Sequence, residues 1–307
     1  VHIDLGNYCN LCCKMCRPQA SSLIASQYVK WGLPDAGQYV GTDWTRDSVV
    51  WDRVLRELSS IANLKNVHFM GGETLITKRF EEFVDHMIDQ GRTDICFSFV
   101  TNGTTFNEKL LTKLKQFQRV GIEVSIEALD ARNSYQRQGT DQAVVMRNLQ
   151  KYLDHCAGTC VTVTVRPAIS ALTIGSYHEL LEFCFHNRII VKSLLVTRPP
   201  HLDARILPDQ IRQQYSHYYQ HLQERLGINS IVTDDRDFNE SDSNQIDSII
   251  KMQIDCCINL LNSPAPEDRE QQLENMVRWC RKWDDVYGYD AMTIYPELGE
   301  WFKKYGY

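Results

Sequence analysis

The chain has 307 residues, 43% of them hydrophobic, enough to bury a large core, and its net charge of −6 offers no broad basic field for nucleic acid. No apolar run approaches the ~20 residues of a membrane span, and the first residues lack the basic and apolar regions of a signal peptide. Eleven cysteines without such a signal point to a reducing, cytoplasmic setting and to metal-binding or catalytic thiols, not to a disulfide framework. Length suggests about two domains, although α/β barrels also run this long as one unit. The sequence begins at Val1, inside what already reads as a strand, so a short native start is expected to be missing, or the sequence to be a fragment.

VHIDLG (1–6) reads as a strand, and an irregular stretch follows to about residue 46. Periodicity predicts a helix from Val49 to Ala62 and a strand over NVHFM (66–70). Phe80, Phe83, Val84, Met87 and Ile88 fall on one helix face, with Gly91 as its stop. ICFSFV (95–100) is a strand, 107–117 a helix, GIEVSIEA (121–128) a strand and 142–155 a helix. TCVTVTVR (159–166) is the fifth strand, and Ser176 and Glu179 form a capping box that opens the next helix. IIVKSLLV (189–196) is the sixth strand, and a helix follows over 208–226. The acidic stretch 234–245 reads as a surface loop, before helices near 245–261 and 267–285 and an aromatic tail.

Strict strand–helix alternation implies a parallel sheet with helices outside. The predicted class is α/β: a partial (β/α)6 TIM-like barrel over 1–226 with a small, mainly helical C-terminal extension over 227–307. Such barrels place their chemistry at the C-terminal ends of the strands. The cysteines after strand 1, Gly71-Gly72-Glu73 after strand 2 and Thr101-Asn102-Gly103 after strand 3 all fall there.

CNLCCKMC (9–16) holds four thiols in eight residues. As Cys9-x3-Cys13-x2-Cys16 it supplies three soft ligands and omits a fourth, which suits an iron–sulfur cluster with one iron left open. As Cys9-x2-Cys12 and Cys13-x2-Cys16 it makes two CxxC pairs, too tightly spaced to wrap one tetrahedral zinc easily. A zinc knuckle or unliganded cysteines are the plainer alternatives.

The first spacing, followed by Gly71-Gly72-Glu73 after strand 2, resembles the radical SAM superfamily over roughly residues 1–200. That resemblance implies a [4Fe-4S] cluster on Cys9, Cys13 and Cys16, with S-adenosylmethionine (SAM) on the open iron. Reductive cleavage of SAM would give a 5′-deoxyadenosyl radical that abstracts hydrogen from a substrate. Gly71 and Gly72 would let backbone approach the methionine moiety, and Glu73 completes the family's GGE motif, with Thr74 where the family often has proline. The resemblance also points to Ser125 and Glu127, alternate residues of the fourth strand, for the ribose or methionine carboxylate, and to Arg137 and Arg166 as candidates for the SAM carboxylate. Asn102 lies in the mouth, and Met15 stands where the family has an aromatic against adenine. No catalytic side chain is singled out.

The segments CKMCRPQASSLIASQYVKWG and TRPPHLDARILPD are similar to twitch-type members, and the extension has about the length of a twitch region. Cys256, Cys257 and Cys280 do not make a convincing four-ligand site for an auxiliary cluster, and Cys12 reads as a bystander. Cys96, Cys156, Cys160 and Cys184 read as buried structural thiols. The 17–47 loop, with Tyr28, Trp31, Tyr39 and Trp44, has the length of a lid or binding surface. The tail aromatics Tyr295, Trp301, Phe302, Tyr305 and Tyr307 either pack plainly or cover the mouth. The first substrate reading is a peptide or protein, which would be cross-linked, epimerised, oxidised or excised. The second is a small molecule in a dehydrogenation or tailoring reaction, and tRNA ranks third because of the acidic charge. A flavodoxin or ferredoxin is the reductant that the family implies. A non-catalytic metal-binding module would leave the glycine motif and the alternation unexplained.

Overall fold

The structure is a computed structural model that describes residues 1–33, 35–228 and 243–307. In chain order its elements are β1 (His2–Asp4), β2 (Cys12–Cys13), α1 (Ser22–Lys30), α2 (Ser48–Ser60), β3 (Asn66–Met70), α3 (Lys78–Asp89), β4 (Cys96–Thr101) and α4 (Glu108–Leu114). Then come β5 (Arg119–Val124), α5 (Ala131–Gln136), β6 (Arg137–Gln138), α6 (Gln142–Cys156), β7 (Val161–Val165), β8 (Ala168–Ile169) and α7 (Tyr177–His186). The chain ends with β9 (Ile190–Val191), β10 (Leu194–Leu195), α8 (Asp209–Arg225), α9 (Ser243–Asn262), α10 (Arg269–Tyr287), α11 (Ala291–Ile294) and α12 (Gly299–Lys304). The expected acidic loop lies, up to residue 242, outside the described residues.

One sheet has the order β1-β3-β4-β5-β7-β9, and the β1–β3, β3–β4 and β4–β5 pairs are parallel. Each strand lies beside its predecessor in the chain, with helices in the crossovers, which is the winding of a partial barrel and not of a doubly wound sheet. Contacts divide the chain into two compact units, residues 1–125 with 137–164, and residues 126–136 with 165–307. These boundaries differ from the expected one at 226/227, because α9 packs along α8 and against α7.

In the first unit the core is phenylalanine. Strand β4 alternates: Phe97, Phe99 and Thr101 are buried while Cys96, Ser98 and Val100 are half-exposed. Phe69, Phe97 and Phe99 meet Phe80 and Phe83 of α3, with ring centroids 4.6–6.1 Å apart, mostly edge to face. Each ring buried this way is worth about 1.5–3 kcal/mol over an exposed one. Phe80, Phe83, Val84 and Met87 of α3 face this core as its periodicity predicts, and the helix stops before Gly91.

Several local expectations are corrected. The 17–47 stretch contains α1, capped by Ser21 Oγ, which accepts from the Ile24 amide at 3.4 Å. The fourth strand ends at Val124, not 128. The sixth strand breaks into β9 and β10 because Pro167, between β7 and β8, has no N–H and interrupts the partner edge. The Ser176 capping box does not form: the backbone of Ser176 is already helical, and its hydroxyl donates to the Thr173 carbonyl at 3.2 Å. A turn over 170–176, in which the Ile174 amide donates to the Ser170 carbonyl at 2.9 Å, has already started the helical path.

In the second unit, His201 stacks on Trp279 with centroids 5.6 Å apart and planes 11° apart, and it tilts against Trp283. Burial pushes its pKa down to about 4. Unfolding frees it to bind a proton at its ordinary value, so the native state is penalised as pH falls from 6.5 toward 4, and not at neutral pH. The expected loss is about 3 kcal/mol of stability at the acid end. Urea midpoints across this range should fall less in His201→Phe than in the wild type. Parallel slopes would remove His201 as the cause.

Candidate functional site

The cysteine loop leaves β1 and is held by backbone at both ends. The Leu5 amide donates to the Met70 carbonyl at 2.8 Å, and the Cys16 amide donates to the Cys13 carbonyl at 3.0 Å. In its middle, β2 pairs antiparallel with β6, so that Cys12 lies opposite Gln138 and Cys13 opposite Arg137. Successive strand residues face opposite sides, so Cys12 and Cys13 diverge. Cys13 is buried, while Cys9 and Cys16 are half-buried.

The three thiols of the Cys9-x3-Cys13-x2-Cys16 reading sense one another. Burial, then the charge of Cys13, pushes Cys9 up to about 12. A hydrogen bond with Cys13, then burial, raises Cys16. Arg137 opposes both shifts, and its Nη1 donates to Cys13 Sγ at 3.7 Å. Among the described residues no three Cys, His, Asp or Glu side chains stand as a ready-made metal cage. The loop instead holds three adjoining thiols, two of which, Cys9 and Cys16, are held toward the protonated form. Three soft donors on one segment beside a buried cation fit an iron–sulfur cluster, whose binding must expel the thiol protons.

Gly71 and Gly72 have positive φ, +83° and +48°. A Cβ on Gly71 would overlap the Asp4 carboxylate, and one on Gly72 would overlap the Tyr8 backbone. The pair is therefore glycine because the exit of β3 lies directly against the start of the cysteine loop. The Glu73 amide donates to the Tyr8 carbonyl at 2.8 Å, which closes that contact.

Glu73 is 1% exposed, and its carboxylate is occupied by the protein. Oε1 accepts from Thr101 Oγ1 at 2.6 Å and from the Leu75 amide at 3.1 Å, and Oε2 accepts from the Asn102 amide at 2.6 Å. Burial raises its pKa, and these donors work against the rise. Asn102 continues the chain of bonds: its Nδ2 donates to Asn10 Oδ1 at 2.8 Å, and Asn10 Nδ2 donates to Thr104 Oγ1 at 3.0 Å. Thr104 Oγ1 in turn donates to Asn102 Oδ1 at 2.7 Å. The GGE motif and the β4 exit thus form a clasp on the cysteine loop.

The remaining candidates are spread over both units. In the first, Ser125 is buried, and its amide donates to the Thr101 carbonyl at 2.9 Å; Met15 is half-buried beside Cys16 in sequence. In the second, Glu127 is 1% exposed and accepts from the Ala168 amide at 3.2 Å, while its own amide donates to Asn133 Oδ1 at 2.9 Å. Because the strand stops at Val124, the alternation that would set Ser125 and Glu127 side by side does not reach them. Arg166, also in the second unit, is half-buried just past β7.

Sequence reasoning missed Asn10 and Thr104, and it missed how the 17–47 stretch is fastened. Asn7 Nδ2 donates to the Tyr39 carbonyl at 2.7 Å, Trp44 Nε1 to the Asp4 carbonyl at 2.8 Å and Ser21 Oγ to the Leu11 carbonyl at 3.2 Å. Tyr28 stacks on Trp31 at 5.7 Å, and burial, then the charge of Cys16, raises its pKa. This stretch is a wall of the cysteine loop.

In the second unit the tail packs plainly. Tyr307 hydroxyl donates to Asp284 of α10, and Glu297 accepts from Tyr215 at 2.9 Å and pairs with Arg132 at 3.4 Å. Cys257 is buried in α9 beside Tyr219, and Cys280 is buried in α10 near Tyr135 and Tyr295. Among the described residues, no helix is long and apolar enough to cross a membrane.

The family model for the radical SAM superfamily matches residues 3–184. No curated protein matches the chain. Among solved structures the chain is similar to native anSMEcpe with bound AdoMet, with a TM-score of 0.53, 16% identity, and coverage of 76% of this chain and 62% of that one. A second structure, native anSMEcpe with bound AdoMet and Cp18Cys peptide, gives a TM-score of 0.51, 15% identity and coverages of 76% and 61%. SuiB of Streptococcus suis bound to precursor peptide SuiA gives 0.49, 14%, 78% and 52%. The chain spans about three fifths of the length of the anSMEcpe chains. With more than half of its residues matched by that family's model, a cysteine loop after β1 and a GGE turn after β3, the chain belongs to the radical SAM superfamily.

Proposed function

We propose that this chain is an enzyme that cleaves SAM reductively and turns the resulting radical on a peptide or protein. Cys9, Cys13 and Cys16 hold the [4Fe-4S] cluster. The observation that carries this reading is the mutual approach of those three thiols on a loop fastened by Gly72, Glu73 and Asn10. When bound, the cluster supplies the electron that splits SAM into methionine and a 5′-deoxyadenosyl radical, which takes a hydrogen atom from the substrate.

The chain's own residues bind and orient. In the first unit, Gly71, Asn102, Ser125, Arg137 and Met15 lie in or beside the cysteine loop or at the adjoining strand ends. Glu73 acts by fixing the loop. The reductant is a flavodoxin or ferredoxin in a reducing, cytoplasmic setting, and residues 227–307 serve as a twitch-like extension.

A peptide substrate is supported by the likeness to a structure with a bound peptide. The sheet face opposite the phenylalanine core also favours a polar ligand. His2, His68, Ser98 and Gly121 lie in one row across β1, β3, β4 and β5, and His68 Nδ1 shares a 2.7 Å hydrogen bond with Ser98 Oγ. A barrel interior closed by branched apolar side chains would carry no such row.

The test is anaerobic reconstitution with iron and sulfide, followed by SAM and dithionite. About four irons per chain and 5′-deoxyadenosine are expected, and peptides should accelerate that formation more than free amino acids. Tightly bound zinc without SAM cleavage would overturn the proposal.

A further inference from the structure

We propose that Arg137 is a positioning residue for the cluster: its guanidinium donates to the Cys13 sulfur and so raises the cluster's reduction potential. This rests on the cluster reading above, and it departs from the SAM-carboxylate role that the family resemblance suggested for Arg137.

The fold builds this contact. The register of β2 with β6 sets Arg137 directly across from Cys13. After β6 the chain turns back, with the Thr140 amide donating to the Arg137 carbonyl at 3.0 Å. Gly139 in that turn has φ +97°, and a side chain there would crowd Leu11 of the cysteine loop. The guanidinium thus has little freedom to leave: Arg137 is 9% exposed and Cys13 5% exposed. Its Nη1 stands 3.7 Å from Cys13 Sγ, and its charge reaches Cys9, Cys16 and Glu73 as well.

The chemistry follows from charge. Three thiolates make a cluster anionic, and reduction adds one more electron. A cation at the sulfur stabilises the reduced form more than the oxidised one, because the attraction grows with the negative charge. Arginine cannot shed its proton to escape the interaction, and its planar fork fixes the direction of the donor. Lysine would keep the charge but lose that direction.

The test is a redox titration followed by electron paramagnetic resonance, on reconstituted protein without SAM, beside a separate measurement of SAM affinity. Arg137→Gln should load iron like the wild type and shift the reduced-to-oxidised ratio at a fixed poise about tenfold toward oxidised, or about 59 mV for one electron. Arg137→Lys should shift it in the same direction by less. An unchanged potential with weakened SAM binding would overturn the proposal and return Arg137 to the carboxylate. Should Arg137→Gln fail to hold iron, Arg137→Lys decides: a lowered potential supports the role, and a wild-type potential overturns it. Failure of the wild type itself to load iron would overturn the cluster reading, and the two failures are told apart by iron content before any titration.

Discussion

Alanine at any one of Cys9, Cys13 or Cys16 is expected to abolish stable iron loading and to lower 5′-deoxyadenosine formation more than about 100-fold, since even partners of metal ligands cost 10–100-fold. Cys12→Ala should leave both near the wild type. The contrast follows from β2: Cys13 faces Arg137 and shares a hydrogen bond with Cys16, whereas its neighbour Cys12 lies opposite Gln138 and points the other way. The ligand variants should still fold, because backbone and side-chain bonds from Asn10, Ser21 and Glu73 hold the loop independently of the thiols. Iron and sulfide counts with circular dichroism on the four single variants decide the matter. If Cys12→Ala is as damaging as the others, the two-CxxC pairing of this segment is the right one.

The parts of the fold that were legible are those set by local periodicity. β3 begins and ends where the alternation of NVHFM predicts, and the buried stripe of α3 includes Phe80, Phe83, Val84 and Met87. Such elements carry their burial pattern within about a dozen residues. The details of the site were less legible because long-range pairing sets them. β2 and β6 are two residues each, too short for any period, and they join positions more than a hundred residues apart. The Asn10–Asn102 bond spans 92 residues. CNLC and TNG each contain an asparagine that also suits a turn, so neither announces its partner. The break in the sixth strand was missed, because its cause, Pro167, stands on the neighbouring strand and outside IIVKSLLV. The GGE motif was legible as a motif, while its local work was not: the sequence cannot show that Tyr8 and Asp4 occupy the space beside the two glycines.

Glu73→Ala is expected to destabilise the protein by about 3–5 kcal/mol, since each buried donor left without an acceptor costs about 1–3 kcal/mol. The Thr101 hydroxyl and the amides of Asn102 and Leu75 would all lose their acceptor at a site that is 1% exposed. Glu73→Gln should cost less, because one amide oxygen still accepts, although its NH2 must face another donor. The pH dependence carries a sign as well. Burial raises the pKa of Glu73 above its unfolded value, so the native state binds a proton more readily, and this group's contribution falls as pH rises through that interval. The slope should vanish in Glu73→Gln. Urea midpoints of the SAM-free protein measure both effects. The same variants separate two roles for one carboxylate: if Glu73 chiefly served a ligand, alanine would cost under about 1 kcal/mol without SAM, and the loss would surface only as weakened SAM binding. Three protein donors already on its oxygens favour the clasp, and a loosened clasp should lower iron loading too, because the Glu73 carboxylate anchors the turn whose backbone amide holds the Tyr8 carbonyl one residue before Cys9.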